Sequence, residues 1–320
     1  MPSDARSQAN STPIRAYAVI VVAIVATSSA AILIRLALDE NMPPLLIAGA
    51  RLLIATAALT PIVLRRYRAR VRRLSRAELA LVALAGLCLA IHFTAWVTSL
   101  QYTTVLVSVV IVSTGPIWVA IMEVIFLRIR LSRLVVLGLL VALSGGVIIG
   151  IPLDGPLGAA PAIESVSDTL TGGSLALIGA LSVSVYMLIG RRLRTTLPVI
   201  PYVWLVYGIA SICALVVMAV TSTPLAGFRA QGYLVLLAMG LVPQLLGHSS
   251  LNYLLEYFHA ALVSMFTQLE PIGSAILAVL VFGELPPAKQ IAGSIVILIG
   301  VLLASRGEIR TADTGASNAD

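Results

Sequence analysis

Apolar positions along this chain do not alternate with polar ones; they run on. Continuous stretches of about 20 apolar residues, the length that crosses a bilayer as helix, recur ten times, at roughly 15 to 38, 44 to 64, 78 to 97, 105 to 127, 134 to 152, 173 to 190, 201 to 222, 232 to 252, 260 to 283 and 289 to 305. Strands of a membrane barrel would be shorter and would alternate, so the pattern predicts an all-α, polytopic integral membrane protein with ten transmembrane helices. A chain that is 59% hydrophobic and 11% charged exceeds what a soluble core needs. One run carries an internal puzzle, because Glu270 and Pro271 stand side by side in it, a costly charge followed by a residue that breaks a helical hydrogen bond.

Charge changes the picture only in setting the orientation. The formal balance is +7, and "RRYRARVRRLSR" carries seven arginines from Arg65 to Arg76. With a cytoplasmic N-terminus, seventeen of the twenty-one basic residues face inward and only Arg229 and Lys289 face outward, Arg35 and Arg51 lying within spans. That asymmetry is a topology signal touching anionic lipid, so no nucleic-acid partner is expected. It predicts a multi-pass protein of the cell (inner) membrane with both termini cytoplasmic. The first span has a signal-peptide look at "ATSSAA", but its run continues to Leu38, and it is expected to remain as an uncleaved helix. Tails at 1–14 and 306–320 are expected to be disordered. Asn10-Ser11-Thr12 is a glycosylation acceptor in form only, on the cytoplasmic side. Cys88 and Cys213 have no ligand spacing, so neither a disulfide, a metal nor a cofactor is expected.

An internal repeat supplies the organisation. Pro116, Gly138 and Gly145 match Pro271, Gly293 and Gly300 at an offset of 155, and Thr27 and Ser29 match Ser182 and Ser184 at the same offset. His92, Tyr102 and Ser108 match His248, Phe258 and Ser264 at 156, one gap later. Two halves, 15–152 and 173–305, follow, joined by a linker at 153–172 that holds Asp154, Glu164 and Asp168 but no lysine or arginine. Five spans per half is an odd number, so the second half enters from the opposite side and the repeat is inverted.

These residues resemble the drug/metabolite transporter superfamily in its EamA branch. The likeness rests on Pro44 with Arg51, on "GGSLALIGALSVSVYMLIGRRL" at 172 to 193, and above all on "LEPIGSAILAVLVFGELPPAKQIAGSIVILIGVLL" at 269 to 303. It implies ten helices in two inverted five-helix repeats around a central cavity, and a secondary transporter exporting amino acids, metabolites or amphiphilic compounds. The first half departs from the pattern, since Gly283 and Glu284 fall on Arg128 and Ile129, and Glu270 falls on Gly115. The chain contains no GxxxxGK[ST] loop, so transport would draw on a gradient or exchange.

Polar residues inside the spans are the candidates for substrate contact. Gln244, His248 and Asn252 share a helical face at i, i+4 spacing and are expected to line a cavity or to bond a neighbouring helix. His92 and Trp96 form a similar pair, with Trp96 either a stacking ring or an interfacial anchor. The two histidines are expected in opposing vestibules. Ser182 with Tyr186, and the collar Thr27, Ser28 and Ser29, are cavity or packing groups. Pro116 and Pro271 are expected to kink their helices, and Thr267, Glu270 and Ser274 to point to one side of the second bend. Arg51, about 10 Å along its span from Pro44, is expected in a structural ion pair with Asp39, Glu40 or, by preference, Glu284. Arg35 and Glu123 are expected to snorkel. The expected partners are a small-molecule substrate, membrane lipid and a second copy in a homo-oligomer. Two other classes stay open: an intramembrane Ser/His enzyme, disfavoured because Ser249 and His248 point about 100° apart, and a sensor or scaffold without flux.

Overall fold

The computed structural model describes residues 14–103, 105–150 and 166–317. The N-terminal tail with Asn10-Ser11-Thr12, and most of the linker with Asp154 and Glu164, lie outside the described residues. Every regular element among the described residues is helical: α1 (Ile14–Asp39), α2 (Pro44–Ile62), α3 (Arg68–Arg72), α4 (Arg76–Ser99), α5 (Val105–Val112), α6 (Gly115–Phe126), α7 (Arg133–Gly150), α8 (Val166–Arg194), α9 (Val199–Val220), α10 (Ala230–Met239), α11 (Ser249–Leu254), α12 (Ala260–Phe266), α13 (Glu270–Phe282) and α14 (Ala288–Ser317). Eight continuous helical stretches are long and apolar enough to cross a membrane, and shorter apolar helices at Val110–Phe126 and Arg133–Ile149 occupy the remaining two runs. This is a multi-pass membrane protein.

Local signals explain where the helices start and break. Ser75 and Glu78 form a reciprocal capping box at the start of α4, the Glu78 N–H donating to Ser75 Oγ at 3.2 Å and the Ser75 N–H to Glu78 Oε2 at 2.8 Å. The two expected breaks fall at the prolines. Pro116 opens α6 after α5 has ended, and Pro271 opens α13 after a 3₁₀ turn at Thr267–Leu269. The Thr267 carbonyl, deprived of its usual donor by the proline, takes the Glu270 N–H instead. Across the bundle, Gln268 Nε2 donates at 3.4 Å to the carbonyl of Ser113, its own repeat mate, so the two broken helices meet at their breaks.

Glycine sets the closest crossing, between α7 and α14. A Cβ on Gly138 would lie 2.4 Å from the carbonyl oxygen of Gly300, and one on Gly145 would lie 2.6 Å from that of Gly293. The contacts pair each glycine with the mate of the other. The mates Arg128 and Gly283 also share a shape. Both follow the helix after the proline with φ of 55° and 71°, although only one is glycine. An L-residue in that region costs about 1–2 kcal/mol, so Arg128→Gly is expected to raise the unfolding temperature of the purified protein, and a lowered one would show that the arginine side chain holds the turn.

Four expectations about the ends of the chain and its charges are corrected. The predicted C-terminal tail continues α14 as helix to Ser317, anchored where Gly307 packs against Ser132 and Glu308 bonds His259. Linker residues 166–172 belong to α8. Arg35 pairs with Glu284 at 2.9 Å instead of snorkelling. Glu123 does not reach for water either: it is fully buried, and its carboxylate accepts the N–H groups of Ala260 at 2.7 Å and Ala261 at 2.9 Å, capping α12 from another helix. Glu123→Gln is expected to cost about 1–3 kcal/mol, the penalty of a charge-assisted buried bond, read as a lower melting temperature in detergent; an unchanged melt would mean the cap is dispensable.

Candidate functional site

A cavity of about 670 Å³ opens among α1, α4, α6, α8 and α13 and is bounded by Arg35, Arg51, His92, Trp96, His248, Thr267, Glu270 and Glu284 among others. It reaches the surface at the loop after α13, where Leu285 is 83% exposed and Pro286 and Pro287 form the rim. Arg35 and Glu284 stand at this mouth, and Arg35 also lies over the Phe282 ring at 4.3 Å. The guanidinium, by hydrogen bond and charge, holds the Glu284 carboxyl below the usual carboxylate range.

Away from this mouth, side chains outside the cavity lining bond across helix ends. Arg194 pairs with Glu256 and donates from Nε to the Asn252 carbonyl at 3.1 Å, and Arg191 donates to the Leu255 carbonyl at 2.7 Å. His259 donates its backbone N–H to one Glu308 oxygen at 2.9 Å while its ring Nδ1 meets the other at 2.8 Å. The hydrogen bond to Glu308 raises the His259 pKa above its ordinary value against the opposing effect of burial.

Inside the cavity the sequence-predicted residues divide. His92, Trp96, His248, Thr267 and Glu270 line it. His92 donates Nδ1–H to the Gly179 carbonyl at 2.9 Å, which fixes the tautomer and leaves Nε2 as an acceptor, and its ring lies parallel to that of Trp96. Trp96 therefore belongs to the cavity wall. The two histidines, expected in opposing vestibules, bound one and the same cavity, with Phe93 between them at 5.0 Å from His92 and 6.4 Å from His248.

Thr27, Ser28, Ser182, Tyr186, Gln244 and Asn252 do not line it. The Tyr186 hydroxyl donates to Asn252 Oδ1 at 2.8 Å, joining α8 to α11. Gln244 Oε1 accepts from Arg51 Nε at 2.7 Å. Ser28 packs against Gly273, where a Cβ would lie 2.1 Å from its Oγ, while its carbonyl accepts from Ser274 at 2.8 Å. Thr27 sits against Gly247 and its hydroxyl interacts with the Glu270 carboxyl. The shared face expected of Gln244, His248 and Asn252 is lost because Gly240–His248, which contains Pro243, is wound as a π-helix. Its wider turn stops i, i+4 residues from stacking.

The expected ion pair between Arg51 and Glu284 is absent, since Glu284 is taken by Arg35 and Glu40 faces Arg229 at 3.7 Å. Arg51, 4% exposed, instead bonds Gln244 and lies over the Phe93 ring at 4.9 Å. It acts on Glu270 by charge across the cavity, though the two form no ion pair among the described residues. Phe93 and Gln268 are cavity residues that sequence analysis missed. Phe93 has no polar mark to distinguish it from core, and Gln268 was detectable only as the mate of Ser113 beside a proline break. No group of three or more His, Cys, Asp or Glu suited to a metal occurs among the described residues, and both cysteines are free.

Comparison with known proteins places this architecture. No curated protein matches the chain. It is similar to a protein of known crystal structure at 19% identity, with a TM-score of 0.77 over 94% of this chain and 99% of that one, a likeness that carries the fold alone. The profile of the EamA-like transporter family matches twice, at residues 14–151 and 170–306, so that the two halves are two copies of one unit. With that double match spanning most of its length, the chain belongs to the EamA-like transporter family of the drug/metabolite transporter superfamily.

Proposed function

We propose that this protein is a secondary transporter of the cell (inner) membrane that exports a small metabolite, amino acid or amphiphilic compound by alternating access, driven by a proton gradient or by exchange. The observation that carries the proposal is the central cavity. It holds Arg51, His92, His248 and Glu270 at membrane depth and opens at the Glu284 mouth, while Arg194 with Glu256 and His259 with Glu308 tie the far helix ends together. Ionisable groups within spans face the bundle interior or a water-filled cavity and mark substrate or ion pathways. Ten spans in two inverted halves suit this reading, because the reciprocal glycine contacts of α7 and α14 and the meeting of Gln268 with Ser113 are what a two-fold axis in the membrane plane would produce. Exchanging the open mouth and the tied end about that axis gives the second state of the cycle.

Proteoliposomes loaded with a cell metabolite extract test it. Under an imposed pH gradient they are expected to lose particular solutes faster than protein-free vesicles, and identical retention would favour a sensor or scaffold. Orientation is tested separately. A cysteine at Arg229 in a cysteine-free background is expected to react with an impermeant maleimide in intact cells, whereas one at Arg70 is not; labelling of position 70 would reverse the topology.

A further inference from the structure

Arg51 is left incompletely answered by its own protein. Its Nη2 is buried and has no hydrogen-bond partner, while Nε is spoken for by a neutral amide and the guanidinium face by Phe93. Of the five N–H donors on a guanidinium, the two on Nη2 thus lack an acceptor at a depth where an unmet charge is costly. A second donor on the same cavity wall, Trp96 Nε1, is likewise buried without an acceptor. None of the four charged groups of the cavity has a charged repeat mate, since Arg35 and Arg51 correspond to Gly190 and Val206, and Glu270 and Glu284 to Gly115 and Ile129. The charges of the site are therefore not repeated between the two halves, which suits an unsymmetrical ligand.

We propose, resting on the transport reading above, that Arg51 is the anchor for a carboxylate group of the transported solute. A planar carboxylate matches the guanidinium fork, two oxygens against two N–H groups, and supplies the negative charge that Gln244 cannot. Glu270 does not already fill this role, because it forms no ion pair with Arg51 among the described residues. The apolar body of such a solute lies against Phe93, Trp96 and Val119.

The test compares matched probes by calorimetry on the purified full-length protein: 3-phenylpropionate, its primary amide, and phenethylamine. The acid is expected to bind at least about tenfold more tightly than either, the gain of a charge-assisted hydrogen bond. Arg51→Lys, which keeps the charge and loses the fork, is expected to remove most of that preference. Acid and amide binding alike, no binding of the acid, or an Arg51→Lys protein with undiminished preference would each overturn the proposal. The wild-type comparison stands even if the variant fails to fold. Flux separates the two readings: an acid that binds while nothing crosses proteoliposomes leaves the anchor standing without transport, and an amine that crosses while the acid fails to bind leaves transport standing without the anchor.

Discussion

Glu270→Gln is expected to leave the protein folded and inserted while removing the response of substrate flux to a pH gradient. The substitution preserves shape and hydrogen-bonding capacity and deletes only the titratable proton. Glu270 lies at the first turn of α13, immediately before the proline that breaks the span, and it lines the cavity within reach of the Thr27 hydroxyl and the field of Arg51. A proton bound there and a solute bound nearby would affect each other through that field. A linked pair of this kind changes affinity by about 5- to 150-fold, and that factor is what the glutamine would forfeit. Flux from proteoliposomes, measured with and without a gradient, reads the loss directly. If the variant transports at the normal rate with unchanged pH dependence, Glu270 is a structural group beside the proline break and the proton-carrier role is gone.

Two neighbouring glycines are expected to respond in opposite directions. At Gly145 an added Cβ would lie 2.6 Å from the Gly293 carbonyl oxygen and 2.7 Å from the Ile297 nitrogen, backbone atoms that cannot rotate away. Gly145→Ala must therefore push α7 and α14 apart, at a cost of about 1–3 kcal/mol. At Gly146 the nearest atom is Gln268 Nε2 at 3.9 Å, an ordinary contact. Gly146→Ala is expected to stabilise by about 0.5–1 kcal/mol, the gain of alanine over glycine within a helix. Thermal unfolding of the two variants in detergent decides the matter, and equal melting temperatures would show that the tight crossing contributes nothing.

Much of the fold was legible because a bilayer imposes a length and a polarity that sequence must carry openly. Eight of the apolar runs coincide with helices long enough to span and the other two with shorter apolar helices, and the repeat found by subtraction coincides with the two matched copies of the family unit. Pro116 and Pro271 broke their helices as expected because a missing N–H acts locally. The site was only half legible. Helical spacing gave Gln244, His248 and Asn252 one face, but the π-wound turn around Pro243 turned two of them away from the cavity into bonds with Arg51 and Tyr186. Periodicity assumes a uniform helix, and nothing local announced the wider turn.

What the sequence determined by itself, then, is whatever depends on a residue and its near neighbours: apolar spans, proline breaks and the two-copy plan. Partner choice was decided by the tertiary structure. Arg35 and Arg51 were both cations within spans, and only the packing of α1 beside the end of α13 gave Glu284 to the first and left the second to Gln244 and Phe93. Glu123 read as a charge near a helix end, yet the approach of α6 to α12 made it a cap for a helix 137 residues away. Charge interactions and orphan backbone donors are settled by distances in space, and a linear chain carries no record of which ends will meet.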